Sequence, residues 1–128
     1  MKEMLSKYFS RAEVACRCCG KVGPYPENLK RLLAAADKMR ELAGKPVIIN
    51  PNHCIYRCPE HNAAVGGEVN PPSFHTQDLA MDFHIEGLTL YQMAALAQKA
   101  GFMGIGIYIG KGFVHADLGT SYPRRWVE

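Results

Sequence analysis

The chain has 128 residues, 48% of them hydrophobic, and carries a net charge of +3 at pH 7. That is enough apolar material to bury one core without disulfide support, so one domain is expected, with a cysteine-containing segment over 1–25 and a core over 26–128. Basic residues form no stripe apart from Arg124 and Arg125, which argues against nucleic acid as a partner, and no stretch reaches the about 20 apolar residues of a membrane span.

The opening MKEMLSKYFSRAEVA has charges every few residues and no apolar signal segment, so the chain is expected to be synthesised in the cytoplasm as a soluble product. Within it, Ser10-Arg11-Ala12-Glu13 has the form of a capping box and predicts one short helical turn before a cysteine cluster. After Pro26 the apolar positions Leu29, Leu32, Leu33, Ala36, Met39 and Leu42 recur at helical spacing until Gly44, which predicts a helix over 26–43. The β-branched run within residues 46–50 reads as a short buried strand, followed by an irregular PNHCIYR loop. Pro59 opens a brief helix that Gly66-Gly67 ends, and EVNPPSFHTQ is too rich in proline and polar residues for regular structure, which leaves His75 on a loop.

From Leu79 to His84, alternation sends Leu79, Met81 and Phe83 to one face of a strand and Ala80, Asp82 and His84 to the other. Thr89 caps a second helix, with Leu90, Met93, Ala94 and Ala97 on its buried side and Gly101 at its end. MGIGIYIGKGFVHADLG then reads as a hairpin turning at Gly110-Lys111-Gly112, with Phe113, His115 and Asp117 on one face of its second strand. This order predicts an α+β fold: a small, largely antiparallel sheet with flanking helices.

Two groups of residues point to metal chemistry. A catalytic zinc site takes three protein ligands from His, Asp, Glu or Cys and leaves a fourth position for a water whose pKa the metal lowers. His75, Asp82 and His115 can supply that set if the sheet converges them; spacing alone equally allows a solvated loop histidine, a turn-capping aspartate and a surface His–Asp pair. The second group is the five cysteines, an odd number that excludes a fully paired framework within one chain. Cys16-x-Cys18-Cys19 and Cys54-x3-Cys58, with His53 and His61 beside the second pair, are open to a structural metal site, to disulfides, or to buried thiols without a ligand. Their spacing is not the CxxC…CxxC of a zinc ribbon.

Taken together, YRCPEHNAAVGG (56–67), SFHTQDLAMD (73–82), GIGIY (104–108), FVHADLG (113–119) and a closing RRW (124–126) resemble the blocks of the zinc D-Ala-D-Ala carboxypeptidases and murein endopeptidases that share the hedgehog-like fold, in that family's order. FSRAEVACRCCG is also similar to the N-terminal part of small cell-wall-lytic members from bacteria and phages. The resemblance implies that His75, Asp82 and His115 bind Zn2+, that Arg57 points at the substrate, and that metal-activated water cleaves peptidoglycan peptides at the cell wall or in the periplasm. Arg57 suits a carboxylate or a developing oxyanion because a guanidinium grips with two parallel hydrogen bonds; an ion pair within its loop is the structural alternative.

The sequence departs from the pattern in three places. An acidic residue three positions before the last zinc-binding histidine, and often a second histidine two before it, are usual in such peptidases; here those positions are Gly112 and Phe113. Asp117 is the nearest substitute for the missing catalytic carboxylate, although it and His84 suit equally the orienting of a ligand imidazole. The glycine usual within the His-to-Asp segment is Asp78, and the usual SGYR approach to Arg57 is the longer NPNHCIYR. Two further readings therefore stand beside the peptidase: a non-catalytic zinc-binding domain of the same fold that recognises peptidoglycan or a protein, and a structural protein whose cysteines hold its metal.

Overall fold

The computed structural model describes residues 2–50, 55–68 and 73–128. Cys54 and His53, with the loop readings over 51–54 and 69–72, lie outside them.

Helix α1 (Arg11–Val14) begins at the Ser10 capping box, in which the Ser10 side chain accepts from Glu13 N–H and the Glu13 carboxylate accepts from Ser10 N–H. Helix α2 (Pro26–Ala43) turns Leu29, Leu32, Leu33, Ala36 and Met39 inward and ends at Gly44. The strand expected in 46–50 contracts to β1 (Ile48–Ile49), and Pro59 starts the short helix α3 (Pro59–Ala64). His75 does not lie in irregular loop: Phe74–Gln77 form a single 3-10 turn in which the Ser73 hydroxyl accepts from the His75 N–H, and His75 is buried within it. Strand β2 (Ala80–His84), helix α4 (Leu90–Ala100, with a Thr89–Gln92 capping box), β3 (Gly104–Tyr108) and β4 (Phe113–Asp117) follow the expected order. A final strand, β5 (Arg124–Val127), was not anticipated in the sequence.

The sheet order is β1-β2-β4-β3-β5, antiparallel except for the β3–β5 pair. Met81, Phe83, Ile105, Val114 and Ala116 bury one face in a core shared with Leu32, Met39, Met93 and Ala97 of α2 and α4. Burying a side chain such as Leu32 or Phe83 contributes about 1.5–3 kcal/mol, so the helix-covered face anchors the sheet. The opposite face is then free to carry polar residues.

Candidate metal centre

The pairing register lines polar residues up across that opposite face in two rows. Asp82 stands opposite His115, His115 opposite Gly106, and Gly106 opposite Trp126. One row along, Ala80 stands opposite Asp117, Asp117 opposite Gly104, and Gly104 opposite Arg124. The glycines of the GIGIY strand make these rows work. A Cβ at Gly106 would sit 2.3 Å from the Trp126 indole, and one at Gly104 would sit 2.3 Å from both the Arg124 guanidinium and the Asp117 carboxylate. Strand β3 thus leaves its site face bare so that side chains of β5 can reach over it to β4.

His75 reaches the same place from the 3-10 turn. Ligand atoms of His75, Asp82 and His115 lie within 4.8 Å of one another. His75 Nδ1 is 3.1 Å from the Ile55 carbonyl oxygen. A carbonyl only accepts, so Nδ1 carries the ring proton and donates it. Burial holds the His75 pKa below its ordinary value, against the pull of Asp82, so the ring is neutral and Nε2 presents a bare lone pair. That lone pair faces another acceptor, Asp82 Oδ1, at 3.3 Å. The same carboxylate oxygen is 2.9 Å from His115 Nδ1.

Behind His115 a second carboxylate fixes its ring. His115 Nε2 is 2.7 Å from Asp117 Oδ2. The other oxygen of Asp117 accepts from the Gly119 N–H at 3.0 Å and is paired with Arg124. Asp117 is fully buried, and although burial alone would raise its pKa, His115, the Gly119 N–H and Arg124 together hold it below the usual carboxylate range. Burial would likewise depress the His115 pKa, but Asp117 and Asp82, one at each ring nitrogen, raise it to about 9. In the metal-free molecule, a proton therefore takes the part at Nδ1 that a cation would play. Trp126 closes over His115 with ring centroids 5.4 Å apart and donates its indole N–H to the Tyr108 hydroxyl at 3.0 Å.

These groups line a cleft of about 610 Å³ that also includes Arg57, Glu68, Lys111 and Glu128. Arg57 is buried, donates from Nη2 to the Ser73 hydroxyl at 3.2 Å, and its N–H bonds the His75 carbonyl at 3.2 Å, so its guanidinium is set beside the histidine. His84 does not join the cluster: its Nε2 lies 3.3 Å from Glu86 Oε1, toward solvent, which removes it as an orienting partner for the imidazoles. Gly112 lies at the hairpin turn with φ +74° and supplies no carboxylate. Sequence reasoning missed Arg124 and Trp126 as site residues, although RRW had been picked out as a block; their reach into the site follows from a parallel strand pairing that carries no local signal.

Residues 7–117 match the family Peptidase M15. The chain belongs to the peptidase M15 family. That membership places it among the metallopeptidases, as the resemblance in its sequence implied. The peptidoglycan L,D-endopeptidase MepK of Escherichia coli K12 is 48% identical over 56 residues, which are 42% of this chain and 29% of that protein. The MepK proteins of Escherichia coli O157:H7 and Shigella flexneri match to the same extent. The match thus spans less than a third of the length of these curated relatives.

Proposed function

We propose that the chain is a zinc-dependent peptidase that cleaves peptides of peptidoglycan, with His75, Asp82 and His115 as the metal ligands. The observation that carries this reading is the buried approach of His75 Nε2 to Asp82 Oδ1 at 3.3 Å, with the ring proton assigned to Nδ1 by its contact with the Ile55 carbonyl oxygen. Such a contact is costly in a dry site unless a cation lies against both lone pairs, and two imidazoles with one carboxylate make a donor set suited to zinc. Zinc held there supplies Lewis-acid polarisation of a peptide carbonyl and a lowered pKa for the attacking water.

The chain's own residues do the rest. Asp117 accepts the Nε2–H of His115 and so directs Nδ1 at the metal position, the carboxylate–histidine arrangement that fixes tautomer and ring orientation. With Oδ2 on His115 and Oδ1 on Arg124 and Gly119, both oxygens of Asp117 are already engaged in holding the site together. It is a positioning residue, and the proton acceptor belongs among the other cleft carboxylates, Glu68 and Glu128. Arg57 brings a fixed positive charge to the cleft, suited to a substrate carboxylate or to negative charge developing on the scissile carbonyl.

The similarity to an L,D-endopeptidase supports internal cleavage of wall peptides over removal of a terminal D-alanine. It also supports action at the wall; among the described residues no helix is long and apolar enough to cross a membrane. Gly112, at the position where the family usually has its acid, supports a second reading in which a domain of the same fold binds peptidoglycan without cutting it. Incubation with purified peptidoglycan separates the two. The peptidase reading expects new amino groups and shortened cross-linked muropeptides, both abolished by a chelator and by His75→Ala. Zinc-loaded protein that binds the wall and releases no amino groups would establish the second reading instead.

A further inference from the structure

The cysteines form a second cluster that the peptide chemistry does not use. Sulfur atoms of Cys16, Cys19 and Cys58 lie within 4.8 Å of one another. Cys16 and Cys58 are buried, whereas Cys19 is exposed. The sequence leaves Cys16-x-Cys18-Cys19 and Cys54-x3-Cys58 open to a structural metal site without the spacing of a zinc ribbon, and the residues brought together are a Cys16-x-x-Cys19 pair and Cys58, next to Arg57.

Local backbone geometry explains the convergence. After Cys19 the chain reverses through Gly20, whose φ of +73° suits a residue without a Cβ. The turn is closed by Gly20 N–H on the Cys16 carbonyl at 2.8 Å and Cys16 N–H on the Lys21 carbonyl at 2.9 Å. The Cys58 N–H donates to Cys16 Sγ at 3.3 Å. A neutral thiol is a weak acceptor, so a buried sulfur that receives a backbone N–H and has two further cysteine sulfurs beside it suits a thiolate held by a shared cation. The four described cysteines are free, with no disulfide among them.

We propose that Cys16, Cys19 and Cys58 hold a structural zinc ion that fastens the N-terminal turn to the segment bearing Arg57. Soft thiolates favour zinc over magnesium or calcium, and structural zinc sites are tetrahedral and closed, so a further donor completes the shell. Cys18, the remaining described cysteine, is exposed and lies outside the group of three. On binding, each coordinating thiol gives its proton to solvent and a sulfur–zinc bond replaces the S–H bond. The staple would reinforce the contact in which Tyr56 N–H bonds the Val14 carbonyl at 3.1 Å, one residue before Arg57.

The test uses the full chain purified under reducing conditions. The His75→Ala/His115→Ala variant removes the other cluster and should still retain close to equimolar zinc. With cobalt in place of zinc, that variant should show thiolate-to-cobalt charge-transfer absorption. Cys19→Ser, at an exposed position, should weaken zinc retention in this background by at least tenfold. A double variant that binds no metal, a cobalt complex without the thiolate band, or a disulfide joining any two of Cys16, Cys19 and Cys58 in the reduced preparation would overturn the proposal. None of these results bears on release of amino groups from peptidoglycan by the unmutated chain, so the two readings fail separately.

Discussion

At the scale of single residues, Asp117 and Asp78 show how burial assigns different work to two carboxylates. The environment of Asp117 gives it a partner on each oxygen, and its proposed part is to hold His115. Asp117→Asn removes the charge and the Arg124 pair while leaving a carbonyl that can still accept the Nε2–H. Loss of such an orienting partner typically weakens metal affinity by about 10- to 100-fold. Activity should therefore fall at limiting zinc and return when zinc is saturating. A kcat that stays low at saturating zinc would instead make Asp117 the proton acceptor. Asp78 is the reverse case. It occupies the left-handed region at φ +59° and accepts the Tyr25 N–H at 3.1 Å, while its Oδ1 has no partner among the described residues. Burial raises its pKa, with the Tyr25 and Gly23 N–H groups opposing. The folded form thus keeps this proton to higher pH than the unfolded chain, so stability is lost as pH rises through the raised value and stays lost at neutrality. Asn tolerates the same backbone and never ionises. Asp78→Asn should raise the Tm at about pH 7 and give a shrinking advantage toward about pH 3; an advantage that grows on acidification would contradict this account. The sequence offered Asp78 only as a departure from a glycine, because what surrounds its side chain is tertiary.

At the scale of elements, the helices were legible because their signals are local: the capping boxes at Ser10 and Thr89, Pro26 and Pro59 at helix starts, and the apolar stripe of α2. The β3–β4 hairpin was legible for the same reason. Strand β5 was not, because its parallel pairing with β3 is a contact between distant segments and its residues alternate half-buried and exposed. The glycines of β3 record that pairing indirectly, as the room that β5 side chains require. Gly106→Ala should then act on Trp126, the only tryptophan of the chain, by pushing its indole off His115 and away from Tyr108. Overpacking of this kind costs about 1–3 kcal/mol. The expected signature is a red-shifted emission maximum and loss of any fluorescence response to zinc. Gly110→Ala, where an added Cβ meets nothing within 4 Å, serves as the control and should change neither. Equal behaviour of the two variants would break the link between the glycine row and the site.

At the scale of the whole molecule, the α+β architecture followed from element order, but the convergence of a 3-10 turn, β2 and β4 on one point did not, since sequence spacing places His75 and His115 no nearer than forty positions apart. Convergence gives the site a dependence on pH that no single element carries. His75 faces it from the 3-10 turn, Asp82 from β2, His115 and Asp117 from β4, Arg124 from β5 and Arg57 from the loop before α3. Without metal, His115 has a pKa of about 9, above its ordinary 6.5. A group whose pKa is raised by folding stabilises the fold fully below its unfolded value, and that contribution disappears as pH rises through the folded value. The metal-free protein should accordingly lose Tm between about pH 6.5 and 9 in the presence of a chelator. Zinc must displace the same Nδ1 proton to reach the ring, so its affinity should climb across this interval, close to tenfold per pH unit, with a proton released per ion bound. Calorimetry of the Cys19→Ser chain in buffers of different ionisation enthalpy measures that release with zinc binding at the cysteine cluster weakened. Binding heats that do not depend on buffer, together with an affinity flat across the interval, would mean that His115 is not a ligand and that the cation sits elsewhere.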